Sequence, residues 1–150
     1  MSTETDSSDS TRIALVCVQN AGRSQMSTAF AERERERRGL EEQVEILTGG
    51  THPADHVHDE VVAVMNEIGF DLSDRTPREI TVDELRSCDY IATMGCSTLD
   101  VTEVGNDVDV RDWALEDPDG QDMERVREIR DEIEQQVVAL FDEFSADSSS

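Results

Sequence analysis

Near the start of this chain, an apolar run passes directly into a cysteine-containing loop and then into a helix. Residues 13–16 have the character of a buried strand, and a helical pattern begins at Ser24. Between them, Cys17 and Arg23 are separated by five residues, and the Ser24 hydroxyl follows at once. A loop in this position directs its backbone N–H groups inward, and the helix start adds positive potential. The segment predicts a strand–loop–helix unit with a nest for a tetrahedral oxyanion.

The residue types in this loop suit chemistry on such an anion. The planar guanidinium of Arg23 can bind two oxygens at once. Cys17 lies in the same field and faces the hydroxyl of Ser24, so we expect a thiolate near neutral pH and hence a nucleophile. We therefore expect its sulfur to attack a bound phosphate-like centre. The predicted oxyanion-binding loop consists of Val18, Gln19, Asn20, Ala21, Gly22, Arg23 and Ser24.

Strand-like and helix-like segments alternate along the rest of the chain. Further strands are predicted at residues 43–48, 89–94 and 108–113, and helices at residues 24–38, 55–68 and 123–144. Gly49-Gly50 is expected to close the strand at 43–48, and the helix at 55–68 carries an apolar stripe that ends at Ile68. The apolar stripe of the last helix consists of Val126, Ile129, Ile133, Val137, Leu140, Phe141 and Phe144. This alternation predicts an α/β fold, a single three-layer domain with a parallel sheet and helices on both faces. The domain is expected to span residues 12–144, between disordered tails at residues 1–11, which are acidic, and 145–150. The charge-rich residues 32–38 are expected to form a solvated helix face.

The active edge of a parallel sheet lies at the carboxyl ends of its strands. Asp117 follows the predicted fourth strand, where a carboxylic acid could protonate a leaving oxygen. Cys96 follows the third strand and is therefore better placed than Cys88 to meet Cys17. Cys88 precedes that strand and lies about 20 Å away, at the opposite edge. A small buried hydrophobe is the alternative interpretation of Cys96 and the favoured one for Cys88.

The charge of the chain is extreme, with 36 acidic and 13 basic residues and a net charge of −23. Such an excess repels itself at low ionic strength, which favours a protein from a salt-rich, halophilic cytoplasm. It also makes nucleic acid an unsuitable partner. There is no apolar stretch of membrane-spanning length and no signal-peptide pattern, and three cysteines suit a reducing compartment. We expect a soluble cytoplasmic protein with no membrane association, no bound metal and no bound cofactor.

The motifs resemble the low-molecular-weight protein tyrosine phosphatase family, and within it the arsenate reductase branch. The resemblance rests on the Cys-x5-Arg-Ser motif, on Gln25-Met26 directly after it, on Thr-Met-Gly-Cys at residues 93–96 and on Asp117-Pro118. It covers residues 12–144. It implies a four-stranded sheet in the order 2-1-3-4, with Asn20 as the residue that keeps the nest in shape.

For that branch, the resemblance implies two chemical stages. The Cys17 thiolate attacks arsenate held by the loop and Arg23, while Asp117 protonates the departing oxygen. Cys96, which matches the first resolving cysteine, then attacks the Cys17 sulfur, arsenite leaves and a disulfide forms. Asp100 stands where many members carry a further cysteine. An external small thiol, glutaredoxin or thioredoxin would complete the cycle.

Two alternatives remain open at this point. A phosphatase would need only Cys17, Arg23 and Asp117, and would hydrolyse phosphomonoesters through a phosphocysteine intermediate. The second alternative is a non-catalytic module that binds oxyanions or senses redox state.

Overall fold

The structure of the chain is a computed structural model that describes residues 11–17, 20–50, 52–94, 108–113, 115 and 121–149. Its four strands are β1 (Thr11–Cys17), β2 (Val44–Gly50), β3 (Tyr90–Thr93) and β4 (Asp109–Asp112). Its helices are α1 (Arg23–Arg37), α2 (Asp59–Asn66), α3 (Val82–Arg86) and α4 (Met123–Ser149). Among these described helices, none is long and apolar enough to span a bilayer.

The strands form one parallel sheet in the order β2-β1-β3-β4, which confirms the predicted topology. Cys17 at the end of β1 is in register with Gly50 of β2, and Val16 is in register with Thr93 of β3. The carboxyl ends of these strands therefore share one edge of the sheet, with Cys17 on a central strand.

Helices cover both faces of the sheet, as predicted. Side chains alternate along β1, so that Ile13, Leu15 and Cys17 enter the larger core cluster and Ala14 and Val16 enter the smaller one. The larger cluster contains buried side chains of α1, α2 and α4. The smaller cluster lies on the opposite face and contains Ile80, Leu85 of α3 and Cys88. The chain thus has the predicted three layers.

The predicted apolar stripe of α4 is buried over its described length, at Val126, Ile129, Ile133, Val137, Leu140 and Phe141. The helix then continues to Ser149. Continuing an existing helix adds one hydrogen bond for each residue that is ordered, which makes extension easier than nucleation.

Other boundaries also differ from the prediction. Helix α2 begins at Asp59 instead of residue 55, because His58 before it has an extended backbone with ψ 140°. Ile68 was expected in its apolar stripe but is 43% exposed, since the helix has already ended there. Gly49 and Gly50, expected to close the second strand, belong to β2 and pair with the end of β1. The short helix α3 was not predicted.

The interpretation of residues 32–38 as a solvated face is wrong at its centre. Glu34 is only 3% exposed. Its carboxylate accepts hydrogen bonds from Arg33, Arg37 and Arg38 of its own segment. Arg38 also pairs with Asp142 of α4, 2.9 Å away, and this contact carries the network across to the neighbouring helix. The burial arises because α1 and α4 pack together at this point.

Candidate active site

Cys17 is the last residue of β1 and is buried, with 3% of its surface exposed. Helix α1 begins six residues later at Arg23, and the N–H of Met26 donates to the carbonyl of Gly22 in its first turn. The predicted strand, loop and helix are therefore present in this order. Val18 and Gln19 lie outside the described residues.

Two polar groups reach the sulfur of Cys17. The backbone N–H of Asn20 donates to Sγ at 3.2 Å, and Ser24 Oγ lies 2.9 Å from Sγ. The side-chain amide of Asn20 donates to the same hydroxyl oxygen at 2.8 Å, so that oxygen already accepts a hydrogen bond and its own proton is available for the sulfur. These contacts fix the sulfur at the end of β1, facing the start of helix α1.

Asn20 holds this arrangement through an unusual backbone conformation. Its φ is +51°, in the left-handed region that asparagine tolerates better than most residues. Its amide nitrogen donates to Ser24 Oγ and to Thr48 Oγ1 of β2, at 2.8 and 2.9 Å. Its amide oxygen accepts from the backbone N–H of Arg78 at 3.0 Å and from Gln25 Nε2 at 3.1 Å. All the hydrogen-bonding capacity of the amide is thus used.

Two of these partners extend the network into the sheet and the helix. The hydroxyl of Thr48 donates a hydrogen bond to the carbonyl of Leu15 in β1 at 3.0 Å. Gln25 is 2% exposed and also donates to the backbone carbonyl of Asn20 at 2.9 Å. The conformation of the loop is therefore fixed from three sides: β1, β2 and α1.

Arg23 extends across the same edge of the sheet. Its Nη1 donates to the carbonyl of Met94, which follows β3, and to the carbonyl of Leu115, which lies beyond β4, the latter at 3.0 Å. Both carbonyls belong to the active edge predicted from the strand order. These two bonds hold the guanidinium of Arg23 at this edge. Of the predicted site residues, the structure brings Cys17 and Ser24 into contact and places Arg23 at the same edge of the sheet. The predicted residues Cys96 and Asp117 lie outside the described residues.

Sequence reasoning missed Thr48 and Arg78. Thr48 could have been found, since it is near the end of a predicted strand adjacent to the first. Arg78 lies between elements, and its contact with Asn20 is made by its backbone N–H. No side-chain pattern in the sequence reports such a contact.

Cys88 lies in a different environment from Cys17. It belongs to the core cluster on the opposite face of the sheet and donates its S–H to the carbonyl of Glu84 at 3.3 Å. The next residue, Asp89, hydrogen-bonds to Arg12 near the start of β1, so Cys88 lies toward the opposite edge from Cys17, as predicted. Burial raises the pKa of the Cys88 thiol to about 11. These features are typical of a structural thiol.

Within the described part of the chain, no three His, Cys, Asp or Glu side chains come together in an arrangement that could hold a metal ion.

A cysteine lies here at the carboxyl edge of a parallel sheet, beside a helix start and an anchored arginine. These features describe an α/β protein whose candidate active site is built around a cysteine-containing loop. The chain belongs to the low molecular weight phosphotyrosine protein phosphatase family, whose model matches residues 12–150. The family predicted from the motifs is thereby confirmed.

Within that family, the chain is similar to three proteins named as arsenate reductases. A Halobacterium salinarum protein named "Putative arsenate reductase" is 75% identical over 142 residues, covering 94% of this chain and 99% of its own. The glutaredoxin arsenate reductase of Synechocystis is 31% identical, covering 89% of this chain and 98% of its own. The solved structure of the Corynebacterium glutamicum thioredoxin-dependent arsenate reductase superposes with a TM-score of 0.75 at 28% identity, covering 97% of this chain and 67% of its own. The Halobacterium relative also agrees with the halophilic interpretation of the charge.

Proposed function

We propose that this protein is an arsenate reductase in which Cys17 is the nucleophile of a thiol/disulfide reaction. The observation that carries the proposal is the placement of the Cys17 sulfur, which accepts a hydrogen bond from Asn20 N–H at 3.2 Å and lies 2.9 Å from Ser24 Oγ. A sulfur held in this way is prepared to attack an electrophilic centre bound at the start of helix α1. The three arsenate reductase relatives support arsenic as that centre.

In the first stage, Cys17 attacks arsenate bound by the loop at residues 18–24 and by Arg23. A sulfur–arsenic bond forms and one arsenic–oxygen bond breaks, and Asp117 donates the proton that lets the oxygen leave as water. Arsenic remains pentavalent at this stage. Anchoring of Arg23 by Met94 and Leu115 supports its role as a rigid oxyanion ligand.

In the second stage, the thiolate of Cys96 attacks the sulfur of Cys17. A disulfide forms, the sulfur–arsenic bond breaks and its electron pair stays on arsenic, which leaves as arsenite. The two sulfurs lose two electrons and arsenic gains them, so the step balances. In the sequence, Cys96 and Asp117 each follow by two residues a carbonyl that binds Arg23, which supports their assignment to this site.

An external thiol closes the cycle by reducing the disulfide. One of the relatives is named a glutaredoxin arsenate reductase and another a thioredoxin-dependent arsenate reductase. A small thiol, glutaredoxin or thioredoxin therefore serves as the second substrate, in the cytoplasm, and the protein itself holds no cofactor. The domain that performs the reaction is the one spanning residues 12–144.

Phosphatase activity is the second candidate function, and the family match favours it. It uses Cys17, Arg23 and Asp117, with water in place of Cys96 as the group that releases the intermediate.

The test compares wild type with Cys17→Ser, Cys96→Ser, Asp117→Asn and Cys88→Ser. Arsenite formation under a thiol donor and aryl-phosphate hydrolysis are measured for each protein. We expect Cys17→Ser to abolish both activities, Cys96→Ser to abolish only arsenate reduction, and Asp117→Asn to slow both by about a hundredfold or more. Cys88→Ser is the matched control and keeps both.

Full arsenate reduction by Cys96→Ser would contradict its resolving role. Hydrolysis without any arsenate reduction by wild type would favour the phosphatase.

A further inference from the structure

Arg78 connects the loop of the nucleophile to an element that does not belong to the site. Its backbone N–H donates to Asn20 Oδ1 at 3.0 Å. Its guanidinium Nη1 donates to the carbonyl of Thr48 at 2.7 Å, and Nη2 donates to Glu84 Oε2 at 2.6 Å. Arg78 therefore contacts Asn20, Thr48 of β2 and Glu84 of helix α3. Thr48 is itself hydrogen-bonded to Asn20.

The backbone around Arg78 is fixed against the end of β2. The N–H of Gly50 donates to the carbonyl of Arg78 at 2.9 Å, and the N–H of Ile80 donates to the carbonyl of Gly50 at 3.2 Å. These bonds extend the parallel pairing to Glu79. The position of the Arg78 N–H, and hence of its hydrogen bond to Asn20, is determined by how this segment lies along β2.

Glu84 anchors the other end of the arginine. Thr81 and Glu84 form a capping box at the start of α3, in which Glu84 Oε1 accepts from the backbone N–H of Thr81 at 3.0 Å. The second carboxylate oxygen remains for Arg78. The hydrogen bond from Arg78, and next that from Thr81, hold the pKa of the Glu84 carboxyl below its ordinary value. Glu84 is thus ionised at neutral pH and holds the guanidinium in place.

We propose that Arg78 and Glu84 are positioning residues for the nucleophile. By holding the segment at residues 78–80 against β2, they keep the Arg78 N–H on Asn20 Oδ1. This keeps Asn20 in its left-handed conformation, with its own N–H directed at Cys17 Sγ. The inference deepens the proposed function and rests on it for the identity of the nucleophile.

The ion pair lies at the surface, with the side chains of Arg78 and Glu84 45% and 31% exposed. Salt screens a pair of this kind, and its direct contribution to folding is small. A purely structural role therefore predicts little effect of its loss on any property. A positioning role predicts an effect on the reactivity of Cys17 that is out of proportion to the effect on stability.

The test uses Arg78→Ala, Arg78→Lys and Glu84→Gln, with Arg86→Ala as the matched control. Arg86 belongs to the same short helix and pairs with Asp83 at 3.7 Å. The rate at which iodoacetamide alkylates Cys17 is followed from pH 5 to 9 by mass spectrometry of its peptide, and arsenate turnover and urea unfolding are measured in parallel. Each substitution keeps the backbone N–H, so any effect on Asn20 arises from the lost side-chain anchor.

We expect Arg78→Ala to slow alkylation at neutral pH about fivefold, the factor that one ordinary hydrogen bond is worth, and to move the alkylation–pH curve to more alkaline pH. Arg78→Lys and Glu84→Gln should give smaller shifts in the same direction, and Arg86→Ala should match wild type. Turnover number should fall with alkylation while KM for arsenate changes little.

An Arg78→Ala curve that coincides with wild type overturns the proposal, as does an equal shift in Arg86→Ala. If Arg78→Ala does not fold, an unshifted curve for Glu84→Gln overturns it. Alkylation needs no arsenate chemistry, so the two proposals fail separately. Absence of reduction by wild type refutes the proposed function, while an unshifted curve in an active reductase refutes only the positioning pair.

Discussion

Ser24 Oγ lies 2.9 Å from Cys17 Sγ and also accepts a hydrogen bond from the amide of Asn20 at 2.8 Å. When the sulfur attacks as a thiolate it has no proton to donate, so in that state the Ser24 hydroxyl is the donor. A hydrogen bond to an ionised partner is worth about 1.5–3 kcal/mol. We therefore expect Ser24→Ala to lower the rate of Cys17 alkylation at pH 7 and the turnover number for arsenate by at least tenfold.

Ser27→Ala is the matched control for this substitution. Ser27 is also buried in α1, but its hydroxyl donates to the backbone carbonyl of Arg23 at 2.8 Å. Both variants should lose a similar, small amount of stability in urea unfolding, and only Ser24→Ala should lose reactivity. Equal losses of reactivity in the two variants would mean that the hydroxyl acts through helix packing.

The same relationship explains how far the sequence could predict the site. Cys17, Arg23 and Ser24 lie within a segment of eight residues, so a strand, a tight loop and a helix start determine their geometry locally. The partners of Asn20 come from elsewhere. Thr48 reaches it from the neighbouring strand, and Arg78 reaches it by a backbone group, which the spacing of side chains along the chain does not reveal.

The fold shows the same difference between features that the local sequence determines and features that depend on tertiary contacts. The order of the strands and the buried stripe of α4 depend on apolar periodicity and on the family resemblance, and both were predicted. The burial of Glu34 depends on which face of α1 packs against α4, and a run of alternating Glu and Arg gives no sign of that face. The contact between β2 and residues 78–80 depends on Gly49, whose lack of a side chain permits a close approach to Ile80 that only the tertiary structure shows.

That close approach gives a second prediction. A Cβ on Gly49 would lie 2.5 Å from the Cβ of Ile80 and 3.0 Å from its backbone nitrogen. Gly49→Ala should therefore push the segment at residues 78–80 away from β2. We expect a loss of about 1–3 kcal/mol in the free energy of unfolding, together with slower alkylation of Cys17 because the hydrogen bond from Arg78 to Asn20 lengthens.

Gly39→Ala provides the comparison for Gly49→Ala. Gly39 has a φ of +67° in the turn after α1, with open space around it, so alanine there costs about 1 kcal/mol of backbone strain. Urea unfolding should show a lower free energy of unfolding in both variants. Alkylation of Cys17 by iodoacetamide should be slower only in Gly49→Ala. Unchanged Cys17 reactivity in Gly49→Ala would show that the loop does not depend on this segment.

The buried carboxylate of Glu34 gives a third prediction. It accepts hydrogen bonds from three arginines while its side chain is only 4% exposed. Glu34→Gln removes its charge and leaves those guanidiniums without their shared anion, so we expect a loss of about 3 kcal/mol in the free energy of unfolding. Glu36→Gln, an exposed site two residues along the same helix, should change it by less than about 0.5 kcal/mol.

Arsenate reduction at saturating substrate should be unchanged in Glu34→Gln while the protein remains folded, because the network lies at the α1–α4 contact. Equal unfolding midpoints for the two glutamine variants would show that the burial of Glu34 contributes nothing to stability.

Cys88 gives a fourth prediction, on the pH dependence of stability. Its pKa is raised from 9.0 to about 11, chiefly by burial. Below pH 9 the thiol is neutral in both the folded and the unfolded chain. Between pH 9 and 11 the unfolded chain ionises while the folded one does not, so stability is lost as the pH rises. The full difference is on the order of 2–3 kcal/mol.

Few other side chains of this chain titrate between pH 9 and 11, because it has no lysine and one tyrosine. Urea unfolding of wild type and Cys88→Ala at constant salt, at pH 8, 9, 10 and 11, measures the effect. We expect Cys88→Ala to be less stable at pH 8, because it leaves a small cavity, and to lose less stability than wild type toward pH 11. Cys17 and Cys96 are common to both proteins, so the difference between the slopes isolates Cys88. Parallel curves would mean that the buried thiol ionises as easily in the folded chain as in the unfolded one.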